Sequence, residues 1–167
     1  PHPRFAGVYP TTWAILEGET RYGISWLLID PDGVERILLS RSFDLSSDET
    51  ALSLNTRCHA AAVESFGEVV EAIERGSRDG TPVEGERREY ERTRRPWALG
   101  HLDFRRSARE LAALVRGLDF GAYRNPLCVP KLIHEGRAIR VASAEVIDSV
   151  VGGEPGQVVA TGEGFVD

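Results

Sequence analysis

The sequence predicts an α/β fold, on three observations. Apolar residues recur every three or four positions after residue 46, two apolar runs flank a turn at 30–33, and a second amphipathic segment begins at Ser107. The 167 residues suffice for one ordinary domain or two small ones, and 41% hydrophobic with 28% charged residues is typical of globular proteins. We therefore expect helices packed on short strands.

The first predicted elements are a short helix and a β-hairpin. Pro10 stands where helices commonly begin, so residues 11–16 are predicted to be helical. Two apolar runs, 24–29 and 37–43, are predicted to be strands. Between them lies Asp-Pro-Asp-Gly, whose glycine can adopt a positive φ in a tight turn.

A long amphipathic helix is the most clearly marked element. Ser46 and Glu49 have the spacing of a capping box, and the predicted helix of about 25 residues ends at Gly76. Its glutamates mostly lie off the apolar stripe, which favours a helix lying on a sheet. The stripe consists of Leu54, Cys58, Ala62, Phe66, Val69 and Ile73.

Residues 77–96 change composition to glycine, proline, arginine and glutamate, which predicts a solvated connector. Interleaved glutamates offset its arginines. The chain as a whole carries a net charge of −6 with a pI of about 5.3. These charges argue against a broad nucleic-acid-binding face.

The last third of the chain contains a helix followed by short apolar segments. Ser107 and Glu110 form a second capping box, and leucines and a valine follow at helical spacing. The later apolar segments, separated by glycines, are 132–133, 138–141, 146–147 and 158–160. Because each strand with its turn needs about 8–12 residues, they are too few for a closed barrel. An incomplete small β-barrel is predicted.

Other sequence features exclude several protein classes. Cys58 and Cys128 are far apart and lack histidines at ligand spacing, so we expect buried thiols and no metal site. No apolar stretch approaches the ~18 residues of a membrane span, and the first residues lack a signal pattern, so we expect a cytoplasmic protein without membrane contact. The absence of methionine suggests a chain that is processed or cut from a longer one.

Several motifs resemble those of the 10-formyltetrahydrofolate-dependent formyltransferases, a family that includes the methionyl-tRNA enzymes. Residues 3–7, 13–20 and 22–26 are similar to the family stretch LPRYxG…WAIxxGxxxxGxT. Residues 48–55 match the start of a long helix, and 102–120 match the bridge to a C-terminal barrel. Residues 120–127 resemble formyltransferase modules of natural-product megasynthases more closely than they resemble the methionyl-tRNA enzymes.

The resemblance implies a specific domain organisation. Residues 1–76 would be the latter part of a Rossmann-like formyltransferase domain, with its N-terminal part missing, and 77–96 a connector. Residues 97–167 would be the bridge helix and a partial C-terminal β-barrel subdomain.

The resemblance also implies which catalytic groups are needed. In the family an Asn and a His stabilise an oxyanion, and an Asp orients the His and manages the proton. The Asn and His positions precede Pro1. The acid position, immediately before the apolar strand, is occupied by Arg36.

Some residues nearby are candidate substitutes or substrate contacts. Weak candidates for the missing acid are Asp30, Asp32 and Glu35, although solvated acids of a hairpin turn are the plainer interpretation. His2 imitates an HP dipeptide of the family at the wrong distance from Arg4. His59, His101 and His134 have no evident partner. The substrate-mouth candidates are Arg4, Tyr9 and Trp13.

Three hypotheses remain open from the sequence. The chain could belong to an active formyltransferase that uses 10-formyltetrahydrofolate and an amine acceptor. It could instead be a catalytically inactive interaction or scaffolding domain of a biosynthetic assembly line. In a third possibility, its partner is a carrier protein or a small molecule unrelated to folate. Because incomplete sheets would expose strand edges, we expect a homo- or hetero-oligomer, contact with the rest of a megasynthase, or a rearranged fold built from the remaining elements.

Overall fold

The computed structural model describes residues 4–31, 33–77, 80–85, 87–147, 154–158, 160–163 and 165–166. Its first half contains β1 (Phe5–Gly7), α1 (Pro10–Leu16), β2 (Arg21–Ile29), β3 (Glu35–Asp44) and α2 (Ala51–Glu74). Two short strands follow, β4 (Thr81–Pro82) and β5 (Arg88–Tyr90). Strand β1 pairs in parallel with β5, while β2, β3 and β4 form an antiparallel sheet. The predicted α/β class is confirmed.

The β2–β3 hairpin forms as predicted, although both strands are longer than the apolar runs. Its turn is closed by Asp30, whose Oδ1 accepts the backbone N–H of Val34 at 2.8 Å. The Asp30 carbonyl also accepts the N–H of Gly33, which adopts φ +79°. The turn chemistry of the sequence therefore determines where the chain reverses.

The long helix α2 is confirmed, but its predicted N-cap is wrong. Thr50 is the N-cap, its side chain accepts the N–H of Ser53, and the Ser53 hydroxyl accepts the N–H of Thr50. Thr50 and Ser53 therefore form the capping box, and the predicted box of Ser46 and Glu49 does not form. Glu49 instead accepts hydrogen bonds from the Ser53 hydroxyl at 2.5 Å and from Arg57.

Only part of the predicted stripe on α2 is covered. Leu54 and Val69 are buried, whereas Phe66 and Ile73 are 54% and 55% exposed. Trp26 of β2 joins the helix to the sheet, because its Nε1 donates to the Ser65 hydroxyl at 2.9 Å and its ring contacts Phe66. The sheet therefore supports one side of the helix.

The core centres on stacked aromatic rings. Tyr90 lies between Trp13, at a centroid distance of 4.9 Å, and Phe5, at 6.0 Å, with near-parallel planes in both pairs. The Arg94 guanidinium lies over Trp13 and Tyr90. Residues 77–96 were predicted as a solvated connector, yet they supply Tyr90, which is 1% exposed. The predicted domain boundaries stay a prediction.

The third helix, α3 (Ala108–Gly117), begins where predicted. Ser107 caps it by accepting the Glu110 N–H, and the Glu110 carboxylate accepts the Ser107 N–H at 3.0 Å. The helix packs against α1, and Gly117 allows this approach because a Cβ there would lie 3.3 Å from Leu16. This packing joins the N-terminal elements to the last third of the chain.

The C-terminal segments form two separate hairpins among the described residues. Strands β6 (Lys131–His134) and β7 (Arg137–Arg140) pair with each other, as do β8 (Thr161–Gly162) and β9 (Phe165–Val166). The prediction of strands at 146–147 and 158–160 is wrong, because no strand forms at Val146, Ile147, Val158 or Ala160. Position 159 lies outside the described residues.

Within the described part of the chain, no helix combines the length and apolar character needed to cross a bilayer.

Candidate functional site

A hollow of about 480 Å³ opens between the start of α2, the start of α1 and the loop after α3. We name it the Tyr9 pocket. Its walls are formed by Tyr9, Pro10, Thr11, Ala51, Leu52, Asn55, Thr56, His59, Phe120 and Tyr123. Its size is within the range of small-molecule sites.

Tyr9 is held in an unusual conformation at the edge of this pocket. It is the N-cap of α1 with φ 56° and ψ 43°, a left-handed conformation that is uncommon for a residue with a side chain. Its ring packs edge-on against Phe120, with centroids 6.4 Å apart. Backbone strain of this kind occurs at binding and active sites, where neighbouring contacts maintain it.

The opposite wall is positioned by the first turns of α2. The cap formed by Thr50 and Ser53 sets the direction of the helix, and the Leu52 N–H donates to the Asp119 carbonyl at 3.1 Å. Gly121 lies close to Leu52, since a Cβ at Gly121 would come within 2.5 Å of its Cδ2. The loop after α3 therefore packs closely on α2.

Asn125 fixes the far end of that loop. Its amide nitrogen donates to the Leu118 carbonyl at 2.6 Å, and its Oδ1 accepts the N–H groups of Leu127 and Cys128. The aromatic side chains between residues 118 and 125 are thus carried by a loop that is tied at both ends.

The three predicted substrate-mouth residues do not line one pocket. Tyr9 lines the pocket, whereas Trp13 is 4% exposed in the aromatic core and donates from Nε1 to the Val8 carbonyl at 3.1 Å. Arg4 forms an ion pair with Glu19 at 2.7 Å. Among the three, Tyr9 alone lines the described pocket.

The predicted acid position lies in the β2–β3 hairpin. The Arg36 guanidinium is 3.7 Å from the Asp30 carboxylate, and Glu35 lies 3.6 Å from Arg87. Both carboxylates are therefore engaged with arginines. Asp32 lies outside the described residues, as does His2.

The remaining histidines are dispersed. His59 lines the Tyr9 pocket. His101 borders a second hollow of about 310 Å³, and its backbone forms an isolated parallel β-bridge with that of Lys131. His134 ends strand β6. Over the described ranges, no three histidine, cysteine or acidic side chains are grouped to hold a metal ion.

Two shifted pKa values are explained by burial. Burial raises the pKa of the Cys58 thiol to about 11, so at neutral pH the sulfur remains protonated and is a poor nucleophile. Burial, and the hydrogen bond that Tyr90 donates to Glu17, raise the pKa of Tyr90 to about 12. Both groups therefore keep their protons at neutral pH.

Sequence reasoning missed most of the pocket. Leu52, Asn55, Thr56 and His59 recur at i, i+3, i+4 and i+7, so they share one face of α2. That face is mostly polar, so the apolar periodicity of the helix gives no sign of it. The left-handed Tyr9 and the approach of Phe120 depend on tertiary contacts.

Comparison with known proteins connects this fold to a class. No protein-family profile matches the chain. The chain is 26% identical over 162 residues to the methionyl-tRNA formyltransferase of Caldanaerobacter subterraneus subsp. tengcongensis, covering 94% of this chain and 49% of that enzyme. It thus spans about half the length of the curated relatives it matches.

Solved structures show the same fold at lower identity. An N-formyltransferase from Helicobacter canadensis, solved with folinic acid and dTDP-3-aminofucose, superposes with a TM-score of 0.70 at 15% identity, over 90% of this chain and 54% of that one. HypX from Aquifex aeolicus, in complex with tetrahydrofolic acid, superposes with a TM-score of 0.66 at 20% identity, over 95% of this chain and 27% of that one.

The fold is therefore that of the α/β formyltransferases, and the chain corresponds to part of their Rossmann-like domain. In sequence the chain is similar to methionyl-tRNA formyltransferases, as its motifs indicated.

Proposed function

We propose that the protein takes part in folate-dependent formyl transfer to an amine, and that the Tyr9 pocket receives the acceptor. In this reaction the amine nitrogen bonds to the formyl carbon while the bond from that carbon to N10 of 10-formyltetrahydrofolate breaks. One amine proton leaves, and N10 of the product tetrahydrofolate gains a proton. The atoms therefore balance without a further reactant.

The observation that carries the proposal is similarity to methionyl-tRNA formyltransferases along almost the whole chain. Solved neighbours contain folinic acid or tetrahydrofolic acid, which supports folate as the formyl carrier. Since the chain spans about half of its relatives' length, the activity, the carrier and the acceptor are all parts of the proposal.

The Tyr9 pocket fits an acceptor better than it fits the folate. Its described walls contain no carboxylate to accept the N–H groups of a pterin and no cation for the carboxylates of its glutamate tail. The walls of this pocket therefore do not fit folate. The residues of this chain would bind and orient the acceptor.

The acid position suggests how far this chain could act by itself. A guanidinium does not accept a proton at neutral pH, and Asp30 is engaged by Arg36 and by the turn. Proton transfer would therefore require a group other than residue 36. We propose that the 167 residues alone do not catalyse the transfer.

A catalytically inactive interaction or scaffolding domain is the second candidate. The ion pair of Arg36 with Asp30 favours it, because that pair stabilises a cation in the place of the family's acid. Such a domain would contact a carrier protein or the rest of a natural-product assembly line, in a homo- or hetero-oligomer. The open edges of the short described sheets would then be available for contact.

The two candidates differ in a formylation experiment. The full polypeptide encoded by the gene is incubated with 10-formyltetrahydrofolate and a panel of amines, and formylated amines are detected by mass spectrometry. The first proposal predicts formylation of at least one amine and release of tetrahydrofolate. Absence of transfer to every amine, from a folded protein, would favour the inactive domain.

Arg36→Asp adds a test of the inactive candidate. That candidate predicts no formyl transfer by the unmodified protein or by Arg36→Asp, since an inactive domain would lack other catalytic groups besides the acid. Activity that appears on this single change would contradict it. Arg41→Asp, which alters an arginine of the same strand paired with Glu68, is the matched control.

A further inference from the structure

The Tyr9 pocket is neutral in a chain that is otherwise rich in charge. Its ten described wall residues include no Asp, Glu, Lys or Arg and a single histidine, His59. A phosphate or carboxylate entering it would lose water without meeting a cation. Even partial loss of water by an unpaired charge is unfavourable.

One side of the pocket is aromatic. Tyr9 and Phe120 hold each other edge to face, and Tyr123, which is 73% exposed, stands at the rim. Flat rings and apolar groups gain stacking and burial energy against such a wall. Tyr123 is also free to adjust to a ligand, because little of its surface is packed.

The other side presents neutral hydrogen-bonding groups. Thr56 donates its hydroxyl to the Leu52 carbonyl at 3.0 Å, so its oxygen keeps lone pairs available. The exposed Asn55 amide lines the pocket and offers both a donor and an acceptor. An N–H group in the pocket could therefore donate to either side chain.

We infer that the Tyr9 pocket selects an uncharged, flat amine-bearing head group and discriminates against a phosphate-bearing one. This inference deepens the proposed function and rests on it, because the role of acceptor site comes from that proposal. It sets the chain apart from the neighbour solved with dTDP-3-aminofucose, whose ligand carries phosphates. The discrimination itself is a binding property and does not require transfer.

The test uses two probes that share one ring, aniline and phenyl phosphate. The protein is labelled with ¹⁵N, and each probe is titrated without folate while backbone and Asn55 side-chain amide signals are followed. Aniline is expected to shift the signals of the pocket, with phenyl phosphate binding at least about tenfold more weakly. Equal or tighter binding of phenyl phosphate at this pocket would overturn the inference.

Variants locate the binding and reverse its preference. Tyr123→Ala should weaken aniline about threefold to tenfold, whereas Val63→Ala, an exposed α2 residue outside the pocket, should leave it unchanged. Asn55→Arg should make phenyl phosphate bind at least about tenfold more tightly. Aniline binding that is insensitive to Tyr123→Ala would contradict the assignment.

The failure of this inference differs from failure of the proposed function. Selective aniline binding without formyl transfer by the full polypeptide would leave the pocket assignment standing and contradict the transfer. Transfer to a phosphate-bearing amine, with no selective binding of aniline, would contradict the pocket assignment alone.

Discussion

Trp13 provides the sharpest test of the aromatic core. The substitution Trp13→Ala removes a side chain that is 4% exposed, its stacking on Tyr90 at 4.9 Å, and the hydrogen bond from Nε1 to Val8. It also removes one of the two rings beneath Arg94. Large aromatic-to-alanine changes in cores cost about 3–5 kcal/mol.

That cost is a large part of the free energy of unfolding, which is about 5–15 kcal/mol for a domain. Trp13→Phe keeps a ring on Tyr90 and loses the hydrogen bond, so it should cost about 1–3 kcal/mol. Urea unfolding followed by far-ultraviolet circular dichroism measures both, and an unchanged m-value shows that the transition remains comparable.

The exposed Tyr123→Ala is the matched control and should change the free energy of unfolding by less than about 1 kcal/mol. The reasoning is refuted if Trp13→Ala costs no more than this control. If it also weakened aniline binding while leaving stability intact, Trp13 would be a substrate contact, as the sequence suggested.

Three further predictions concern stability. Because the folded pKa of Tyr90, about 12, exceeds the ordinary value of 10.0, stability present below pH 10 should fall between pH 10 and 12, by at most about 3 kcal/mol. Tyr90→Phe should lessen that fall when urea midpoints are measured against pH, and an unchanged pH profile in this variant would contradict the prediction. Ser107→Ala should lower the free energy of unfolding by about 0.5–2 kcal/mol in chemical unfolding, and Ser46→Ala should lower it by less. A larger loss for Ser46→Ala than for Ser107→Ala would contradict the observed caps. Gly7→Ala should destabilise the protein by at least about 2 kcal/mol, since a Cβ there would lie 2.3 Å from the Tyr90 carbonyl oxygen. Gly67→Ala, which has open space around it in α2, should stabilise the protein by about 0.5–1 kcal/mol. Shifts of the thermal unfolding temperature with the same sign in both variants would refute this contrast.

Local patterns in the sequence were enough to predict much of the fold. Ser107 with Glu110 determined the start of α3, and the Asp-Pro-Asp-Gly turn determined the β2–β3 hairpin. The same rule failed at Ser46, because Thr50 and Ser53 offered a competing cap four residues later.

Other features depended on contacts between distant residues. Tyr90 lies among charged neighbours in sequence, so nothing local indicates that it is stacked between Phe5 and Trp13. Likewise, Tyr9 and Phe120 meet across more than a hundred positions. The family motifs pointed to the N-terminal loop, but the wall formed by α2 became visible only in three dimensions.

The most direct test of the central proposal is transfer of a ¹³C-labelled formyl group from 10-formyltetrahydrofolate. The full polypeptide should move the label onto an amine, and the 167-residue chain by itself should not. Labelled product from the 167-residue chain alone would contradict the claim that proton transfer requires a group beyond Arg36, and no labelled product from the full polypeptide would contradict the proposed activity.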